Sequence, residues 1–291
     1  MFNYLLVSGI TTGALYALVA LGIVVVYKAS RVINLAHGDL FMVCGFLAFT
    51  FHVIWGVPYL AALFAAVVCG FAIGMLTYGV AFRPVLRQGL VSVLLATVGF
   101  SFILKGAARN LWGGRGDFIP FPPIVDPTPI SVGNVMILPQ QLIALAGAVI
   151  VMLLFAVFFK YSPIGKWMQA TADNVKAATL VGIRVDRIYM LTFATGAAVA
   201  AAAAVLMAPL TLLYPDIGFV LFLKAFAAAV LGGLTSIVGA VVGGLLVGVI
   251  ESLASGYIHT AFYDVSAFIV IMGALIFLPN GIFGGRGARR V

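Results

Sequence analysis

The chain has 291 residues, of which 64% are hydrophobic and 8% charged, with a mean hydropathy of +1.22. A soluble domain carries roughly a quarter charged residues, so a water-soluble fold is excluded and an integral membrane protein is required. The net charge of +8 does not indicate nucleic acid, because the basic residues sit at the ends of apolar runs, where the positive-inside rule places them.

A membrane span needs about 20 apolar residues, and the chain reads as an all-α polytopic protein of eight or nine passes in a single domain over 1–291. Residues 4–27 form a first span. Lys28 and Arg31 follow it, which predicts an uncleaved span with its start outside. Residues 32–51 return outward and contain the polar insert Asn34, His37, Gly38, Asp39. Residues 59–82 go inward to Arg83 and Arg87, and 90–111 go out. Six of the twelve prolines fall between Pro120 and Pro139. Proline removes backbone donors, so 112–139 is expected to be a periplasmic loop, partly polyproline-like.

Residues 140–159 re-enter and reach 160–187, which holds Lys160, Lys166, Lys176, Arg184 and Arg187 with only two acids. That loop is expected to be cytoplasmic. Residues 188–213 go out, 214–218 turn, and 219–231 are apolar but short, either crossing or re-entrant. Residues 240–256 go out and 262–279 return to the basic tail. In this layout 12 of the 16 Lys and Arg, including Arg286, Arg289 and Arg290, lie inside.

Two stretches break the apolar rule: Asn34 to Asp39, and Gly232, Gly233, Thr235, Ser236, Gly239. Asn34 and Gly38 align with Thr235 and Gly239 at one offset, weak evidence for an internal repeat. Paired glycine-interrupted segments point to a transport pathway, since irregular backbone at membrane depth must be buried in protein or line water. The first stretch has a second reading, an N-cap and interface cluster near the inner surface. Both readings stay open on the residues alone. Glu251 sits among Gly243, Gly244, Gly248, Ser252 and Ser255. Small residues at that spacing let helices approach closely, so Glu251 is expected to hydrogen-bond within or across subunits, with a polar relay as the sharper option. Gly9, Gly13, Ala17 and Ala20 make a weaker face of the same kind. Lys105 and Lys224 fall near span ends and are expected to snorkel. His259 reads as a surface residue. Cys44 and Cys69 have neither disulfide nor metal spacing, and no metal or cofactor is expected.

In the basic loop, Ser162-Pro163 is a helix start. Thr171 or Asp173 is expected to cap a second short helix, with Gly182 ending it. Ala172, Val175 and Thr179 give that helix a weakly apolar face. It fits a partner's groove or lipid headgroups equally well.

Several segments together resemble the permease subunits of bacterial ABC importers for branched-chain amino acids, the LivH-type group. They are GITTGALYALVALGIVVVYK (9–28), VINLAHGDLFMVCGF (32–46), FRPVLR (82–87), QATADNVKAATLVGIRVDRIYMLTFATGAAVAAAAAVL (169–206) and KAFAAAVLGGLTSIVGAVVGGLLVGVIESL (224–253). The resemblance implies a transport subunit of the bacterial inner membrane, not an enzyme. It implies a second, LivM-like permease, two ATPase subunits and a periplasmic binding protein as partners. It also implies that 160–187 contains an EAA-type coupling segment, with Ala172, Asp173, Asn174, Ala178 and Gly182 touching the ATPase. No phosphate-cradling GxxxxGK[ST] is present, so hydrolysis belongs to a partner. Relatives that carry urea, short-chain amides or aromatic acids are the competing substrate classes. An ion-gradient transporter using Asp39 and Glu251 is the rival of another class, and no HExxH or GxSxG supports an intramembrane enzyme.

Overall fold

The computed structural model describes residues 1–86, 88–113, 118–132 and 135–284. Arg87 and the basic tail with Arg286, Arg289 and Arg290 lie outside the described residues. Among the described residues the regular structure is helical apart from two short ladders. Its helices are α1 (Phe2–Ser30), α2 (His37–Phe49), α3 (Tyr59–Thr77), α4 (Leu90–Trp112), α5 (Pro139–Tyr161), α6 (Pro163–Asp173), α7 (Val175–Leu180), α8 (Val185–Met207), α9 (Ile217–Gly232), α10 (Ile237–Tyr257) and α11 (Phe262–Phe277). α2 and α3 each end in a π-helical turn, Thr50–Ile54 and Tyr78–Phe82. Among the described residues seven helices are long and apolar enough to cross a membrane, and α9 and α11 are shorter apolar helices. This is the polytopic all-α fold the sequence predicts.

α1 and α8 are the central pair. Their apolar stretches are the most buried of the candidate spans, as expected of a helix hydrophobic all round. The remaining helices are arranged about them in two similar sets. α1 packs on α10 as α8 packs on α3, and α1 meets α9 as α8 meets α2. α4 lies on α2, and α11 on α9. The chain therefore folds as two copies of one plan, α1–α4 and α8–α11, linked by α5–α7. The internal repeat exists, but its register is not the one the sequence suggests. Gly38 packs backbone to backbone against Gly218, and Gly22 against Gly196. Each glycine meets its own counterpart in the other half.

Close approach follows from small side chains. Gly9 and Gly13 of α1 face Gly244 and Gly248 of α10, so the two predicted small-residue faces are partners of each other. Gly70 and Gly74 of α3 lie on Ala194, Ala197 and Ala201 of α8. In lipid there is little hydrophobic drive between helices, and such packing supplies the association.

Outside the helices, Ile130–Val132 pairs antiparallel with Val135–Ile137, and Ile119–Pro120 with Leu212–Leu213. The proline-rich segment thus contains short β pairings.

Candidate functional site

The site is built where α2 and α9 begin. Asn34 lies in the turn before α2, and its Oδ1 accepts from the Ala36 amide at 3.1 Å. His37 is buried, its ring occupying the space that a side chain at Gly22 would need. Gly38 then lets the first turn of α2 cross the first turn of α9 at Gly218. Asp39, one residue on, is buried and accepts a hydrogen bond from the Ser101 hydroxyl. Ser101 is the middle residue of α4, so this crossing lies about 16 Å along the helix from either end of α4 at 1.5 Å per residue. The Asn34–Asp39 segment therefore meets α4 midway along its length.

A charged strip continues from Asp39 along α4. Ser101, Lys105 and Arg109 recur every four residues and so share one face. Lys105 Nζ lies 3.9 Å from Asp39 Oδ1 and 3.5 Å from Asp216 Oδ1. Arg109 pairs with Asp216 Oδ2 at 2.9 Å. The Lys105 ammonium also lies 5.4 Å from the centroid of the Phe219 ring. Asp39 is buried and Lys105 nearly so, whereas Asp216 and Arg109 are exposed. Where snorkelling was expected, Lys105 instead lies between two carboxylates.

The other predicted pathway segment lies elsewhere. Gly232 and Gly233 end α9, and Ser236 caps α10 by accepting from the Gly239 amide at 3.0 Å. Thr235 lies in the same turn. The Ile282 and Phe283 amides donate to Leu231 and Gly232 carbonyls at 2.8 and 3.0 Å. This turn is the far end of α9, about 20 Å along the helix from Gly218. What meets Asn34–Asp39 is instead the start of α9 at 214–219.

Glu251 sits in a separate buried cluster. Tyr16 of α1 and Lys224 of α9 both donate to its Oε1, at 3.0 and 2.9 Å. The Lys224 ammonium lies 3.3 Å from the centroid of the Tyr263 ring. Lys224 is thus a buried pair partner, not a snorkelling residue. Glu251 bonds within the subunit, on the glycine-rich face predicted for it. His259 is exposed, and its Nδ1 accepts from the Ala261 amide at 3.1 Å, just before α11.

In the basic loop the Ser162 hydroxyl accepts from the Gly165 amide at 2.9 Å and starts α6 as expected. The cap of α7 is Asn174, whose Oδ1 accepts from the Ala177 amide at 3.0 Å, rather than Thr171 or Asp173. Thr171 is instead buried in α6, and Asp173 ends that helix. Gly182 terminates the pair at φ +86. Ala172 and Ala178 pack inward, while Val175, Leu180 and Val181 are exposed. Asn174→Ala should cost α7 about 1 kcal/mol. Hydrogen exchange at 175–180 should then quicken while the melting temperature of the whole chain barely moves.

A family model described as the permease component of branched-chain amino acid transport systems matches residues 5–278. The chain belongs to that permease family. The high-affinity branched-chain amino acid transport system permease protein LivH of Salmonella typhimurium is 36% identical, over 98% of this chain and 94% of its own length. LivH of Escherichia coli K12 is 34% identical over the same shares. BraD of Pseudomonas aeruginosa is 36% identical over 98% of this chain and 97% of its own.

As a member of this family the chain is a multi-pass membrane transport subunit of an ABC importer and not an enzyme. ATP is hydrolysed by a separate subunit, and the family works with ATPase and binding-protein partners. Lys105, Arg109 and Asp216 are the residues that join Asp39 in this charged strip and that the sequence reading did not group with it. The i, i+4, i+8 spacing of Ser101, Lys105 and Arg109 was the available signal, since three polar residues on one face of an apolar helix need polar company.

Proposed function

We infer that this chain forms half of the translocation pathway of an ATP-driven importer for branched-chain amino acids, in a bacterial inner membrane, beside a second, LivM-like permease. The observation that carries this reading is the strip Asp39–Lys105–Asp216–Arg109. It starts at mid-depth and runs out along an exposed face. Charged groups at that depth face water or protein, not hydrocarbon. A facing permease would enclose the strip, and Asn34, His37 and Gly38 frame its deep end. Gly232, Gly233, Thr235, Ser236 and Gly239 would shape the inner exit, because positive-inside charge places that end of α9 at the cytoplasm. The segment 112–139 is then periplasmic, where a binding protein would dock.

The loop 160–187 supports coupling to two ATPase subunits. Leu180 and Val181 stand exposed beside Lys176 and Arg184. Such a short element, apolar at its tip and basic at its flanks, suits a partner's groove. Ala172, Ala178 and Gly182 would shape the element, with Asp173 and Asn174 at the contact.

The test is reconstitution of the complete importer in proteoliposomes. Uptake of labelled leucine should require ATP and the loaded binding protein. A cysteine at Leu180 should cross-link to the ATPase subunit. Uptake by this chain alone, driven by an ion gradient, would overturn the reading. So would an intact complex with no cross-link.

A further inference from the structure

We propose that Lys105, Arg109 and Asp216 are specificity-determining residues of the permease, forming with Asp39 a rail of alternating charge that passes a zwitterion and rejects solutes lacking either charge. This rests on the pathway reading above.

A solute entering a low-dielectric passage loses the water around its charges, and each uncompensated charge is costly. A zwitterion therefore needs an anion for its ammonium and a cation for its carboxylate at every step. The strip offers both in alternation: Asp39 at mid-depth, then Lys105, then Asp216 and Arg109 toward the Trp112 end of α4. Its two acids and two bases leave it neutral as a set, so a neutral zwitterion exchanges partners with it without stranding a charge. A carboxylate without an ammonium has no use for the acids. An uncharged amide has no use for any of the four.

The bonding at the deep end is incomplete in the way this role requires. Asp39 is 2% exposed, its Oδ2 taken by Ser101. Its Oδ1 has no hydrogen-bond partner among the described residues, with the Lys105 ammonium 3.9 Å away. Lys105 stands between two carboxylates, beyond hydrogen-bond distance of Asp39 and at 3.5 Å from Asp216. One ammonium thus serves two acids loosely, which leaves acceptor capacity for an incoming ammonium and lets Lys105 turn to a carboxylate. Weak, multiple contacts are what a conduit needs, since it must release what it binds. Beside the rail the Phe219 ring is half exposed and lies 5.4 Å from Lys105 Nζ. It offers an apolar surface for the side chain of the same solute.

The experiment uses the complete importer in proteoliposomes, with labelled leucine as probe and ATP hydrolysis measured in parallel. Lys105→Gln should lower leucine uptake at least tenfold while the loaded binding protein still stimulates hydrolysis, so that leucine moved per ATP falls. Lys105→Arg should keep at least a third of the uptake. Arg109→Gln and Asp216→Asn alter exposed side chains and should each lower uptake about threefold or more in a normally assembled complex. The decisive variant is Asp39→Asn with Lys105→Gln, which removes the buried pair as a unit. Uptake should stay low in it. Recovery to the unsubstituted level would mean that Lys105 is only the counter-ion of Asp39, and would overturn the proposal. Unchanged uptake in both Arg109→Gln and Asp216→Asn would overturn it too. If the unsubstituted importer carries urea or acetamide and no leucine, the pathway reading itself has failed on substrate. Normal leucine uptake that ignores these substitutions sinks the rail alone.

Discussion

Lys224→Met alone should destabilise the chain by about 3–5 kcal/mol, the cost of leaving a buried charge without its partner. Glu251 would keep the Tyr16 hydroxyl at 3.0 Å but lose the ammonium at 2.9 Å. Both members of the pair are about as buried as any residue in the chain, at 2% exposure. Glu251→Gln alone should do comparable harm by stranding the ammonium, eased by the Tyr263 ring at 3.3 Å and the Tyr16 ring at 5.7 Å. The two changes together should restore most of the loss. Methionine refills the space of the lysine stem, and the glutamine oxygen still accepts from Tyr16. The pair links α9 and α10 to α1, so its loss should loosen the second half of the fold against the core. The measurement is thermal unfolding of the purified chain in detergent, read by tryptophan fluorescence for the two singles and the double. A double variant no more stable than either single would show that the cluster is held by something other than charge pairing.

Gly38→Val should prevent correct assembly altogether. Any Cβ at Gly38 overlaps the Gly218 carbonyl, and one at Gly218 overlaps Gly38. The obstacle is backbone on both sides, with no flexible side chain to move away. Overpacking usually costs about 1–3 kcal/mol where neighbours can shift, and this site exceeds that range because α2 and α9 would have to separate. Gly99 on α4 is the control. A Cβ there meets nothing within 4 Å, so Gly99→Ala should be neutral or stabilise α4 by up to about 1 kcal/mol. Size-exclusion profiles and melting of the three proteins settle the matter. Gly38→Val behaving like Gly99→Ala would refute the crossing.

The membrane fold was legible because hydropathy is a property of short windows. Length and apolar run alone placed the spans, and Ser162 and Gly182 marked loop helix ends by local chemistry. The partners of those spans were not legible. Asn34 and Gly38 align with Thr235 and Gly239 in sequence, yet Gly38 meets Gly218 in space. A glycine and a small polar residue recur too often in such a chain for their spacing to fix a register. Lys105 and Lys224 defeated the snorkelling expectation for a related reason. Depth along a helix can be counted from sequence, but the carboxylate that holds a lysine at that depth arrives from another helix. The small-residue face around Glu251 could be read because its glycine neighbours are local. For the cap of α7, Thr171, Asp173 and Asn174 were all chemically competent within four residues, and the end of α6 at Asp173 decided for Asn174.

The self-meeting glycines divide the chain's positions into two kinds. Where an element touches its own equivalent, as Gly38 does Gly218, a side chain gained by duplicating one sequence would collide with its own twin. Such places have to stay bare in both copies. One step off the axis the copies are free to part company: Asp39 follows one glycine and Phe219 the other, and both lie beside Lys105. A doubled scaffold thereby acquires a polar wall and an oily wall around a single cation, an asymmetry that two identical halves could never have offered.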